Sequence, residues 1–198
     1  MKLHFSPTSP YVRKVRAVAA EKGLTDKIEL LTNSPWEEND LSTANPSGRV
    51  PALETDDGMA LFDSRVICEY LDDLGGGESL FPKGENRWAV LRTAAIAEGI
   101  MDAGVSMANE RRKDEQHWSD WFIGRQQAKI HRSLDTLEAE IDSLSGPINV
   151  AQIGTGVALG YIEFRNHVDD WRTGHPKLTT WYEEFSTRPS MAETAPKG

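Results

Sequence analysis

Thr8-Ser9-Pro10-Tyr11 stands between a short apolar run, Leu3-His4-Phe5, and a stretch in which Val12, Val15, Val18 and Ala19 recur at helical spacing. Pro10 suits the first turn of that helix, where its missing N–H costs nothing. Ser9 therefore falls at a helix N-terminus, where free N–H groups and the macrodipole favour an anion. Such a turn can hold a thiolate or a carboxylate. The same residues equally read as an ordinary N-cap serine.

Two further segments have chemistry-bearing residues in close spacing. One is Asn45-Pro46-Ser47-Gly48-Arg49-Val50-Pro51, and the other is Phe62-Asp63-Ser64. Asp63 and Ser64 precede Val66, Ile67, Tyr70, Leu71 and Leu74, which share one helical face, so this pair also reads as a helix cap. The five histidines show no metal-ligand spacing such as His-x₃-His, and no metal is expected. Gly75-Gly76-Gly77 lacks the Lys-Ser/Thr that would follow in a phosphate loop. Cys68 is the only cysteine, which excludes an internal disulfide. On the Tyr70 helix it reads as a packed small apolar side chain.

The elements that would position these residues come in two kinds. Residues 1–74 alternate: strand Lys2–Phe5, helix Pro10–Lys22 stopped by Gly23, strand Ile28–Leu31, a polar loop over 32–48, then strands Ala52–Glu54 and Met59–Phe62. The last two flank Asp56-Asp57-Gly58, a strong hairpin signal, and Asp63 opens the next helix. The first two strands are expected to be parallel, joined by a right-handed crossover. Beyond the glycines nearly everything is helical. Trp88, Leu91 and Ala95 start a long helix reaching about Asn109. Ile130, Leu134, Leu137, Ile141 and Leu144 form an apolar stripe ended by Gly146-Pro147. Asn149 and Gln152 have capping-box spacing and open a helix whose Gly154, Gly156 and Gly160 suggest close helix packing. Pro176 opens a last helix, and a loose tail is expected from about Ser190. The expected domains are 1–75, a linker over 76–86, and 87–198.

Composition narrows the partners. The 198 residues are 38% hydrophobic and 27% charged, which fits a globular chain rather than a disordered one. No apolar run approaches the ~20 residues of a membrane span, and the start lacks the pattern of a signal peptide. A cytoplasmic location is expected. The net charge of −9 argues against nucleic acid or an anionic membrane as partner.

The order and spacing of Ser9-Pro10-Tyr11, Asn45 to Pro51 and Phe62-Asp63-Ser64 resemble the glutathione S-transferase superfamily. Asn149 to Gln152, followed by Ala158-Leu-Gly-Tyr-Ile-Glu-Phe-Arg165, resembles the capping box and buried helix of its second domain, with Asn and Gln where Ser or Thr and Asp are usual. The resemblance covers the whole chain and is nearest to bacterial members with a serine-type site. It implies an α/β thioredoxin-like N-terminal domain plus an all-α C-terminal domain, glutathione as co-substrate, and a homodimer.

It also implies roles. Ser9 would face the glutathione sulfur, with Thr8 and Ser6 close enough to compete. A thiol of pKa ~8.5 is only a few per cent ionised at neutral pH, and lowering that value by about two units requires roughly 2.7 kcal/mol. One hydrogen bond to a charged partner contributes about 1.5–3 kcal/mol and a helix N-terminus about 0.3–1, so a hydroxyl at this turn is sufficient. Serine, unlike cysteine, forms no mixed disulfide, which favours a transferase over a disulfide reductase. Pro51 resembles the cis-proline of thioredoxin-like folds, exposing the Val50 backbone to the cysteinyl residue. Asp63 and Ser64 would hold the γ-glutamyl end, although many relatives have Glu at that acid. Arg49 would contact a glutathione carboxylate, and Trp36 falls near another contact. The family's electrophile pocket lies between the domains, with Tyr11, Met107, Arg111 and Arg112 as candidates. The arginine pair hints at an acidic substrate and also reads as a solvated loop pair. Conjugation of a small electrophile is the first reading. A non-catalytic protein-interaction module and a glutathione-dependent isomerase, dehalogenase or lyase stay open beside it.

Overall fold

A computed structural model describes residues 1–33, 41–168 and 170–196. The chain divides into two compact units, one running Met1–Phe81 and including the residues from Pro189 onward, the other Pro82–Arg188.

The first unit begins with β1 (Lys2–Phe5), α1 (Pro10–Glu21), β2 (Glu29–Thr32) and the short α2 (Leu41–Ala44), then β3 (Ala52–Glu54), β4 (Ala60–Leu61) and α3 (Ser64–Leu74). The four strands form one mixed sheet in the order β2-β1-β3-β4. β1 and β2 pair in parallel, as the crossover through α1 requires, while β3 pairs antiparallel with both β1 and β4. Gly23 ends α1 with φ +67, a left-handed conformation that costs glycine little. The hairpin is closed by Gly58 at φ +89 and by Thr55, whose N–H donates to the Met59 carbonyl. Leu3, Val15, Val18, Leu53, Ile67 and Leu71 are fully buried and make the core between the sheet and helices α1 and α3. Strand bounds shift by one residue from the expected ones at β2, and β4 shortens to two residues.

The second unit holds α4 (Arg87–Glu110), α5 (Asp120–Ala139), α6 (Val150–Arg165) and α7 (Pro176–Phe185). The capping box forms as its spacing requires: Asn149 Oδ1 accepts from the Ala151 and Gln152 N–H groups, and Gln152 Oε1 accepts from the Asn149 N–H. Every residue from Val150 to Ile162 is buried, so α6 is the central helix and is apolar all round. This helix packs closely on α4, as expected. A Cβ on Gly154 would meet Ala97 at an ordinary 3.4 Å, whereas one on Gly104 of α4 would stand 3.0 Å from the Tyr161 ring. α5 also ends earlier than its apolar stripe suggests. Ile141 and Leu144 continue the stripe from a 3-10 turn, Ile141–Leu144, rather than from the helix. Glu138 of α5 reaches the start of α7, accepting from the Lys177 and Leu178 N–H groups at 3.1 and 2.8 Å.

Residues after Arg188 correct the expectation of a loose tail. Pro189–Ala192 forms a short helix, α8, packed on α1. Met191 is fully buried, its carbonyl accepts from Arg13 Nη2 at 3.2 Å, and Ser190 Oγ donates to Glu21 at 2.5 Å.

Candidate functional site

Strand register brings the three chemistry-bearing segments to one end of the sheet. His4 lies opposite Ala52 and Leu53 opposite Leu61. The C-terminal end of β1, the N-terminal end of β3 and the C-terminal end of β4 therefore coincide. From that end depart the turn leading to Ser9, the segment arriving through Val50-Pro51, and Phe62-Asp63-Ser64. Three segments that lie between Thr8 and Ser64 in the sequence are thus presented by adjacent strand ends.

Ser9 is the N-cap of α1. Its Oγ accepts from the Val12 N–H at 3.4 Å, a long contact, and its own N–H donates to the Ser6 carbonyl. The acceptor side of the hydroxyl is thus engaged while its proton donates to nothing among the described residues. Thr8 is half-buried beside it and makes no hydrogen bond among them. Arg13 and Lys14 follow in the next turn and are buried. Both place positive charge on the first half of the helix, and neither was singled out by its spacing.

The Val50–Pro51 bond is cis. Both residues are buried, and the Val50 N–H and C=O form no hydrogen bond among the described residues. Asn45 holds this loop in shape: its Nδ2 donates to the Arg49 carbonyl at 2.7 Å, while its Oδ1 accepts from the Ser47 N–H and Oγ at 3.0 and 2.7 Å. Gly48 takes φ +61 to turn the chain back. Asn45 was not among the expected site residues, although Asn-Pro-Ser-Gly carries the signature of an Asx turn. Arg49 is exposed.

Asp63 caps α3, its Oδ1 accepting from the Arg65 N–H at 2.9 Å. The acid remains exposed and Ser64 is buried at the helix start. The Phe62–Asp63 bond is also cis. Trp36 lies outside the described residues. Of the residues expected to line an electrophile pocket, Tyr11 is half-buried on α1, Met107 is fully buried on α4, Arg111 is half-buried at the end of α4, and Arg112 is exposed. Tyr11 belongs to the first unit and the other three to the second. Among the described residues no group of His, Cys, Asp and Glu is arranged to hold a metal ion, and no helix is long and apolar enough to cross a membrane.

Known proteins share this architecture. Residues 8–74 match the model of the glutathione S-transferase N-terminal domain, and residues 94–184 that of the C-terminal domain. The chain is 35% identical to the uncharacterized GST-like protein YibF of Escherichia coli strain K12, over 99% of this chain and 98% of that one. A glutathione transferase family member from Pseudomonas fluorescens Pf-5, solved with bound glutathione, superposes with a TM-score of 0.93 at 44% identity, over 100% of this chain and 99% of that one. A glutathione S-transferase from Methylobacillus flagellatus KT, also solved with glutathione, gives 0.92 at 35% identity, over 99% of each chain. The chain belongs to the glutathione S-transferase family. Its fold is that family's: a thioredoxin-like domain with a four-stranded mixed sheet, and an all-helical second domain.

Proposed function

We propose that this protein is a glutathione transferase with a serine-type site, activating the glutathione thiolate for attack on a small electrophile. The observation that carries the reading is the shared sheet end, where a free hydroxyl proton, an unpaired strand-like backbone and a helix start with an acid lie on neighbouring strands. Relatives solved with glutathione support it.

Each group has a task in this reading. Ser9 Oγ–H donates to the thiolate, with Thr8 as the neighbouring hydroxyl, and the first turn of α1 adds its N–H field. The Val50 N–H and C=O pair with the cysteinyl residue as an added strand does. Asp63 receives the γ-glutamyl ammonium, while Ser64 and the start of α3 receive its carboxylate. Arg49 takes the other carboxylate, and Trp36 is a further contact. Tyr11, Met107, Arg111 and Arg112 are the candidates for contact with the electrophile. The working form is a cytoplasmic homodimer that detoxifies small electrophiles.

Titration of the whole chain with glutathione in a calorimeter tests the reading, followed by a conjugation assay with an aryl halide and an epoxide. Saturable binding with turnover is expected. Absence of binding overturns the reading, and binding without turnover of either electrophile favours a non-catalytic module.

A further inference from the structure

The second unit contains a cationic cluster of which the glutathione reading uses only Arg111, on the electrophile side. Arg111 follows the last residue of α4, Arg165 ends α6, and His167 stands two residues beyond. Arg111 Nη1 donates to His167 Nδ1 at 3.4 Å. The His167 ring meets Tyr161 edge-on at 6.0 Å between centroids, and the Arg165 guanidinium lies 5.8 Å from the Tyr161 ring centre and 5.1 Å from that of Phe164.

Two nitrogens of this cluster are buried and without a hydrogen-bond partner among the described residues: Arg111 Nε and Arg165 Nε. Since Nδ1 accepts from Arg111, the His167 proton resides on Nε2. That proton faces the Gly104 carbonyl, so the two guanidinium N–H groups are the orphans, and an orphaned buried donor is costly. Burial, with the Arg111 and Arg165 charges, pushes the imidazole down to about 4, against a weaker pull from the Gly104 carbonyl. The histidine is neutral and both positive charges sit on the arginines.

Two carboxylates adjacent in sequence to these arginines or on the same helix, Glu110 and Glu163, are engaged elsewhere. Glu110 accepts from Lys113 and the Ser119 N–H, and Glu163 accepts from Arg172 and Trp171. No ion pair to Arg111 or Arg165 occurs among the described residues. Both residues are only half-buried, so each keeps a side open to solvent. Among the described residues the Tyr161 hydroxyl accepts from Arg165, and no acceptor with negative charge meets the set.

Charge magnitude selects the kind of acceptor. Each helix C-terminus carries about −0.5 charge, so α4 and α6 together offset roughly half of the two positive charges and leave about +1. That balance suits a monoanion and disfavours a dianion. The planar guanidinium forks match a carboxylate, and the Tyr161 and Phe164 rings offer apolar cover for a short carbon stem. We infer that Arg111, Arg165 and His167 form a binding site for a small organic monocarboxylate. The inference rests on the helical unit alone and stands or falls independently of glutathione binding.

Ring-labelled histidine in the whole chain, followed by NMR, tests this directly, with sodium propanoate replacing sodium chloride at constant ionic strength. The His167 signals are expected to shift saturably. Arg111→Gln and Arg165→Gln should each weaken the midpoint about 10-fold or more, the loss typical of a charge-assisted hydrogen bond. A linear, non-saturating shift overturns the site, as do unchanged midpoints in both variants. Should those variants fail to fold, propanamide provides the same test on the native chain. It is uncharged and of the same shape, and a shift equal to that from propanoate overturns the proposal. Inorganic phosphate binding more tightly than propanoate overturns the monocarboxylate assignment.

Discussion

Lys22 Nζ lies 3.0 Å from Asp72 Oδ1, and each side chain is only 2% exposed. The pair joins the end of α1 to the end of α3 and then fastens the chain that follows. Lys22 donates to the Glu78 carbonyl at 3.0 Å, while Asp72 accepts from the Leu80 N–H and from Ser79 Oγ. Gly75 makes the approach possible, because a Cβ there would stand 2.5 Å from Lys22 Cβ.

Removing one partner leaves a buried charge uncompensated. Asp72→Asn or Lys22→Met is expected to destabilise the fold by about 3–5 kcal/mol in urea unfolding, and the double variant Lys22→Met/Asp72→Leu should recover a large part of it. Asp72 is desolvated, yet the Leu80 N–H, Ser79 and Lys22 outweigh that cost and hold its pKa below the ordinary carboxylate value. Its stabilisation is therefore present above the unfolded pKa, near 3.9, and is lost as pH falls through the lower folded value. A wild-type acid-unfolding curve no steeper than that of the double variant would contradict this.

Ser9→Ala removes the hydroxyl proton and the helix cap together. The transferase rate should fall about 10²-fold, the equivalent of roughly 2.7 kcal/mol. Stability should fall by only about 1 kcal/mol. Ser9→Thr keeps both functions and should retain most of the rate. A rate unchanged in Ser9→Ala would transfer the role to Thr8.

Asp63→Ala is expected to weaken glutathione binding by about 10- to 100-fold, as loss of a charged hydrogen-bond partner does. The calorimetric titration reads this, and equal affinity would remove Asp63 from the site. Asp63→Asn, which still caps α3, separates the charge from the cap.

His167 gives a second pH dependence, with the opposite kind of group and the same sign. Its folded pKa of about 4 is below the roughly 6.5 of free histidine. Between these values the unfolded chain binds a proton that the folded chain refuses. The stability it contributes is complete above pH ~6.5 and is lost as pH falls towards about 4, by roughly 2 kcal/mol once solvent screening is allowed for. His167→Gln should flatten that part of the stability profile, and an unchanged slope would show the group to be solvated.

Features written in local sequence were legible. Pro10 after Ser9 and Gln152 three places after Asn149 each fix a helix start within one turn, and both starts form as read. Asp56-Asp57-Gly58 sets the hairpin by turn chemistry alone. What escaped notice depends on distant partners. Met191 is one apolar residue in a polar, Pro-bounded segment, and the groups that fasten it, Arg13 on the Met191 carbonyl and Glu21 on Ser190, lie some 170 positions away in sequence. Gly75 reads as linker composition because its contact, Lys22, is remote. Ile141 and Leu144 continue a helical spacing that a 3-10 turn satisfies equally well. At the site, the spacing marked Ser9, Val50-Pro51 and Asp63-Ser64, and the strand register shows why they converge. Asn45 acts through the loop it shapes, so no charge or hydroxyl pattern drew attention to it.

The return of α8 to α1 has a consequence for biosynthesis. The sheet-containing unit is interrupted by the whole helical unit, so its final piece leaves the ribosome roughly a hundred residues after Phe81. At 5–20 residues per second that interval is on the order of ten seconds. During it the surface of α1 that receives Met191 is uncovered, and the nascent first unit is a candidate client for chaperones until its last helix arrives.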